Sequence, residues 1–265
     1  MRNGRYAPFR ISAETRRYIF LNNKLNNLTN TILIFKKGFN FSQDGPGNRL
    51  VYHMQGCNFK CKWCTNPESM DFPGENSVEY RICDLVDEAL RSRPLFFGGG
   101  GVTLTGGEPT CQFDAALNLF KTLKTEQINT AMETNGSHKR LMEIVPYIDH
   151  LIMDFKHFDE DTHVFCTGHS LKQTKENLKM LSEQKKHVLI RTPVINGVNT
   201  DPEGFVQYFK TLDCSTFSFE FLPYHEFGKN KWKGKYEIEN GFVTKDVIDN
   251  FKNVYKNFGL NIINT

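Results

Sequence analysis

The sequence predicts an α/β fold with a parallel sheet, wound or closed into a barrel, and three observations carry that prediction. From residue 98 to residue 258, short apolar strand-like runs alternate with amphipathic helix-like runs, and such alternation implies parallel βαβ units. Right-handed crossovers restrict those units to a wound sheet or a barrel. Polar residues stand at the ends of successive strand-like runs, where parallel α/β folds bind their ligands.

Taken in order, residues 1–30 crowd Asn22, Asn23, Asn26, Asn27 and Asn30 into a stretch with no sustained period, which predicts a poorly ordered basic extension. An Arg-rich, acid-poor start also suits an organelle transit peptide, but the asparagines and scarce serine argue against it; a later translation start is a further reading. Residues 31–265 read as one domain. Ile32–Phe35 begins a first strand, and Ser42-Gln43-Asp44-Gly45-Pro46-Gly47 is a dense turn signal. Leu50–Met54 is a strand that delivers the loop after it, with Gly56 easing the turn. Ser77 reads as an N-cap and Tyr80–Arg91 as a helix, because Ile82, Leu85, Val86, Ala89 and Leu90 share one face. Gly98 to Pro109 reads as a Gly turn, a short strand and a second Gly turn, with glycine permitting close backbone approach to a ligand. Helices follow at Ala115–Lys124, Lys139–Val145, Lys172–Glu183, Pro202–Leu212 and Thr244–Phe258. Strands fall between them at Asn129–Glu133, His150–Phe155, Val188–Pro193 and Thr216–Leu222. About six βα units result, fewer than the eight of a full barrel.

Composition excludes several classes. Hydrophobic residues at 39% and charged residues at 24% are ordinary for a globular protein, and no apolar run approaches the roughly 18 residues of a membrane span. The formal charge of +3 belongs to the leader. Residues 1–37 hold eight Lys/Arg against Glu14 alone, and removing them from totals of 33 and 30 leaves 25 basic and 29 acidic residues. A nucleic-acid reader carries its basic patch on the folded body, so that class is disfavoured. Three of the seven cysteines are clustered; Cys83, Cys111, Cys166 and Cys214 are scattered and read as small core residues. With no secretory signal, this pattern places the chain in a reducing cytosol.

The chemistry concentrates in Gly56-Cys57-Asn58-Phe59-Lys60-Cys61-Lys62-Trp63-Cys64-Thr65-Asn66, a C-x3-C-x2-C loop. Thiolates this close in sequence can share one metal centre. A [4Fe–4S] cube held by Cys57, Cys61 and Cys64 has a fourth iron without a cysteine, open to a substrate or cofactor. Structural zinc is the other reading. It asks for a fourth Cys or His and favours separated C-x2-C pairs; His53 is near enough in sequence to serve. The interval from Thr65 to Gly98 holds only Cys83, so one cluster is expected and no ferredoxin-like insert.

C-x3-C-x-aromatic-C, with Trp63 as the aromatic, resembles the cluster motif of the radical S-adenosylmethionine (SAM) enzymes. Gly106-Gly107-Glu108-Pro109, the Asp-Gly-Pro-Gly turn and the late segment Leu222–Trp232 narrow the resemblance to the activating enzymes of glycyl radical enzymes, over about residues 38–262. The resemblance implies a partial (β/α)6 TIM-like barrel of the radical SAM type, spanning 31–265. It implies a cytoplasmic oxidoreductase that cleaves SAM reductively and uses the 5′-deoxyadenosyl radical to place a radical on a glycine of a partner. That partner is a glycyl radical enzyme of the pyruvate formate-lyase kind. One [4Fe–4S] cluster, SAM and a monovalent cation are the implied cofactors. A flavodoxin- or ferredoxin-type reductant, a monomer, no nucleic acid and no membrane complete the picture.

By the same resemblance Cys57, Cys61 and Cys64 hold the cluster, flanked by Trp63 and Thr65. Gly106, Gly107 and Glu108 receive the methionine ammonium. Asp154 and Lys156 contact the ribose and carboxylate, with Phe155 between them; Arg191 adds to the carboxylate and His225 borders the nucleoside. Glu133, Thr134 and Asp154 surround the cation, and Asp44 holds the partner's glycine loop. The family usually has Asp where this chain has Glu133, His-Asn where it has Thr65-Asn66, and Ala where it has Pro109. Rival readings are a radical SAM enzyme acting on a small molecule or peptide, and a non-catalytic zinc or Fe–S module.

Overall fold

A computed structural model describes residues 30–263; all but the last residue of the 1–30 extension lies outside them. The chain first makes an antiparallel pair, β1 (Thr31–Phe41) with β2 (Asn48–Met54), and β3 (Val78–Arg81) pairs with the first half of β1. From β2 onward every neighbour is parallel: β4 (Val102–Gly106), β5 (Thr130–Thr134), β6 (His150–Asp154), β7 (Val188–Val194), β8 (Phe217–Pro223) and the short β9 (Asn261–Ile262). The sheet order is β3-β1-β2-β4-β5-β6-β7-β8-β9. Its two ends do not pair with each other, so this is a partial barrel. β2 and β4 to β8 supply its six βα units.

The helices are α1 (Ile82–Arg91), α2 (Phe113–Thr125), the single turn α3 (Leu141–Ile144), α4 (Glu160–Thr167), α5 (Lys172–Glu183), α6 (Pro202–Phe209) and α7 (Lys245–Asn257). Strand alternation sorts the side chains. On β8, Phe217, Phe219 and Phe221 join the main core against the helices, whereas Glu220 falls on the other face. On β7, Val188, Ile190 and Val194 join the core and Arg191 does not. Each fully buried phenylalanine stabilises by about 1.5–3 kcal/mol before entropy is counted. The same period of two therefore builds the core and aims the charged residues away from it.

Five expectations need correction. Tyr80 and Arg81 are strand, not helix: Val78–Arg81 pairs with Thr31–Ile34, and α1 starts at Ile82. Ser77 does not cap it; its hydroxyl donates to Gly74 O. The helix over Lys139–Val145 shrinks to one turn before Pro146. The helix α4 and strands β3 and β9, none of them expected, are present. Of the four scattered cysteines, Cys83 and Cys111 are exposed, and only Cys166 is buried. No helix among the described residues is long and apolar enough to cross a membrane.

Candidate active site

At the C-terminal ends of the parallel strands lies a cavity of about 260 Å³. Its wall includes all three clustered cysteines, together with residues from the ends of β4 through β8. Backbone bonds fold the cysteine loop over it. Gly56, at φ +95°, donates to Ser69 O at 2.8 Å, and Cys64 N bonds Cys61 O at 3.0 Å. The late segment clasps the far side: Trp232 Nε1 donates to Cys64 O at 3.1 Å and Lys231 Nζ to Thr65 O at 3.0 Å. Gly228 lies so close beneath that a Cβ there would meet Thr65 Cα at 2.5 Å.

Burial pushes all three thiols up, Cys61 to about 12 despite the opposing charge of Lys156. Buried thiols of this kind become thiolates when a metal supplies the missing positive charge. Among the described residues no three His, Cys, Asp or Glu side chains converge on one ion. A single zinc ion needs such convergence; a cube of four irons takes its thiolates from separate corners. His53, the fourth ligand of the zinc reading, is not on the cavity wall. Its ring packs beside Phe35 and its Nδ1 is buried without a partner. The donor set fits a cluster with one iron left open.

The Gly-Gly-Glu stretch explains itself at closer range than the sequence suggested. A Cβ on Gly106 would meet His53 Cα at 2.6 Å, and one on Gly107 would meet Gly56 O at 2.2 Å. The glycines thus let β4 approach the end of β2, where Gly107 N donates to Met54 O and Glu108 N to Gly56 O. Both glycines still line the cavity. The Glu108 side chain is 1% exposed. Its carboxylate accepts from Thr110 N, Thr110 Oγ1, Thr134 Oγ1 and Asn135 N at 2.6–3.0 Å. Burial raises its pKa against those four donors. Glu108 is therefore a clasp between the ends of β4 and β5. Glu108→Ala orphans the donors and should cost roughly 3 kcal/mol or more, about 10 °C in Tm for a chain of this size. Thermal unfolding checks it, and an unchanged Tm would dismiss the clasp.

Asp154 and Lys156 point into the cavity and pair at 2.8 Å. Burial pulls the Lys156 ammonium down, but Asp154 and Cys61 outweigh it and hold the group above the ordinary lysine value. Phe155 faces the other way, as alternation requires. Its ring is fully buried and stacks on Tyr208 at 5.1 Å, off the cavity wall. Trp63, Thr65 and Thr134 line the cavity, and exposed His225, stacked on Phe227 at 4.3 Å, stands at its rim.

Arg191 and Glu133 depart further from expectation. The Arg191 guanidinium pairs with Glu133, donates from Nε to Glu220 Oε2 at 2.6 Å, and from Nη2 to Gln43 O at 2.7 Å. It ties three elements together inside the barrel, with few donors left for a ligand carboxylate. Glu133 also accepts from Thr105 Oγ1 at 2.6 Å, and burial raises its pKa even with Arg191 beside it. A monovalent cation at Glu133 would compete with that guanidinium.

Asp44 does not line the cysteine cavity. Its loop precedes β2 and enters the barrel from the N-terminal ends of the strands, where Ser42, Gly45 and Pro46 border a second cavity of about 340 Å³. From there it reaches the Arg191–Glu133 pair, with Gln43 O on Arg191 and the Asp44 charge acting on Glu133. The Asp44 carboxylate accepts from Asn40 Nδ2 and its carbonyl from Thr103 Oγ1. Among the described residues only Arg191 borders both cavities.

Sequence reasoning missed Glu220, although it stands one residue out of phase with three phenylalanines on its strand. It also missed Asn58, whose side chain accepts from Asn135 Nδ2 at 2.9 Å and donates to Ser137 Oγ at 2.7 Å; no local signal marks that bond.

Comparison with known proteins agrees with this geometry. The family model described as the Radical SAM superfamily matches residues 51–209. A pyruvate formate-lyase-activating enzyme of Staphylococcus epidermidis is 34% identical over 212 residues, covering 74% of this chain and 84% of that protein. The Staphylococcus aureus protein of the same name is 32% identical over the same shares. Among solved structures, a radical SAM methyltransferase from Sphaerobacter thermophilus superposes with a TM-score of 0.64 at 14% identity, covering 88% of this chain and 72% of that one; at that identity it speaks for the fold alone. The cysteine loop, the strand-end polar residues and these relatives together establish that the chain belongs to the radical SAM superfamily, within the family of the pyruvate formate-lyase-activating enzymes.

Proposed function

We propose that this chain activates a glycyl radical enzyme, placing a radical on one glycine of that partner protein. The observation that carries the reading is the convergence of Cys57, Cys61 and Cys64 with Asp154, Lys156 and His225 on one cavity. When bound, the [4Fe–4S] cluster and SAM supply the electron transfer and the 5′-deoxyadenosyl radical that takes a hydrogen atom from the glycine α-carbon. The chain's own groups hold and orient. Lys156, kept cationic by Asp154, offers its ammonium to a carboxylate. The Asp154 carboxylate offers acceptors to a ribose, and the backbone of Gly106 and Gly107 offers carbonyls to an ammonium. His225 and Phe227 present flat rings to a purine at the rim. Pro193, Ile195 and Tyr224 give the cavity apolar wall, which excludes water from a reactive carbon.

The partner is a glycyl radical enzyme of the pyruvate formate-lyase kind, the reductant a flavodoxin or ferredoxin, and the working form a cytoplasmic monomer. Anaerobic electron paramagnetic resonance on reconstituted, reduced protein tests the reading. The cluster signal should change shape when SAM is added. A doublet radical should then grow on pyruvate formate-lyase, with one deoxyadenosine released per radical. A signal indifferent to SAM would sink the proposal. A SAM response with deoxyadenosine but no radical on any glycyl radical enzyme would favour a small-molecule or peptide substrate.

A further inference from the structure

The helix α4 packs against the cysteine loop from outside the cavity. A helix leaves its last carbonyls without partners, and here the loop supplies them: Lys60 N donates to Thr167 O at 2.7 Å and Lys62 N to Cys166 O at 3.0 Å. Gly168, at φ +70°, ends α4 with a left-handed cap, its N–H on Val164 O at 2.8 Å, so those two carbonyls stay turned toward the loop. Side chains lock the contact. Phe59 is 1% exposed; its ring meets His163 edge-on at 5.4 Å and stacks on His169 at 5.0 Å. His163 is itself buried, and its Nδ1 lies 2.7 Å from His169 O; a carbonyl only accepts, so Nδ1 carries the hydrogen. Thr167 Oγ1 closes the turn onto His163 O at 2.8 Å.

We propose that α4, through Phe59 and the positioning residue His163, sets both the shape of the cysteine loop and the reduction potential of the cluster it holds. The inference rests on the cluster reading above. The two amides flanking Cys61 are spent on helix carbonyls and are withheld from the cluster sulfurs. The backbone N–H groups that do reach a cysteine sulfur of the loop are those two residues past a cysteine, Phe59 N on Cys57 and Asn66 N on Cys64 Sγ at 3.4 Å. Hydrogen bonds to sulfur ease reduction of a cluster, and the carbonyl end of a helix is its negative pole. Both effects hold the potential low, as a cluster that must pass on a strongly reducing electron requires.

The test uses His163→Ala, with His163→Asn as rescue because its amide can donate to His169 O. In the cluster-free chain, hydrogen exchange at the Lys60 and Lys62 amides should quicken about tenfold or more in His163→Ala and return toward wild type in His163→Asn, while amides of β5 to β7 stay protected. In reconstituted protein, the midpoint potential of His163→Ala should rise by a tenfold change in the reduction equilibrium, about 59 mV for one electron. Unchanged exchange in a folded His163→Ala overturns the inference, and so does faster exchange with an unmoved potential. If His163→Ala does not fold, Phe59→Leu takes its place, keeping apolar volume and losing both ring contacts. A wild-type chain that takes up no iron overturns the function proposed above instead, since the exchange result stands without a cluster.

Discussion

Cys61→Ala should yield a folded protein that holds little iron and places no radical on any partner. Cys61 lies in a small apolar cluster with Phe59, Trp63, Cys166, Ile195 and Tyr224, so loss of its sulfur leaves a small void costing on the order of 1 kcal/mol. That is about 2–4 °C in Tm for a chain of this length. The functional loss is of another order. Two half-buried thiols remain where three were needed, and loss of solvation already holds them protonated. Iron and sulfide assays after anaerobic reconstitution, set beside a melting curve, separate the two effects. Full iron content in Cys61→Ala would mean that the cluster is held elsewhere. The same charge argument predicts that wild-type reconstitution releases protons and slows as the pH is lowered.

Arg191→Met should cost the fold about 3–5 kcal/mol at pH 7, the usual consequence of leaving buried charges without their partner. Glu133 and Glu220 both lose the guanidinium, and Gln43 O loses its donor. The pH dependence follows from Glu133. Burial raises its pKa in the folded state above the ordinary glutamate value of 4.5. Such a group contributes its stability in full below the unfolded value and loses it as pH rises through the folded one. Removing Arg191 takes away an influence that lowers the pKa, so the folded value climbs further and the penalty at pH 7 deepens. Acidification toward pH 5 should therefore restore part of the loss in Arg191→Met and change the wild type less. Urea unfolding at the two pH values decides it: equal losses at both would show that Glu133 is not the group responsible.

The cysteine loop, the alternation of strands and helices, and the polar residue at each strand end are all local patterns, read within a few residues of one another. They determined the fold class, and they named Cys57, Cys61, Cys64, Asp154, Lys156 and His225 before any contact was known. Errors arose where a distant partner overrode a local preference. Val78–Arg81 carries a good helical start but pairs with β1, because an edge strand's open hydrogen bonds outweigh a weak propensity. Asp44 belongs to a turn that any reader would mark, and only the fold shows that the turn enters beneath the Arg191–Glu133 pair, off the wall of the cysteine cavity. Phe155 is flanked by two cavity residues and faces the core by alternation alone.

Arg191 shows the limit most clearly. Its place at a strand end is visible in the sequence, but its two carboxylates come from residues 58 positions before it and 29 after it. Burial fixes those partners, since a guanidinium removed from water must be paired within the fold. The sequence by itself determined which residues can do the chemistry and in what order the chain presents them. Only the tertiary structure decided which of them face the cavity, which are spent on each other, and that α4 backs the cysteine loop, because those outcomes depend on strand direction, register and burial between segments far apart in the chain.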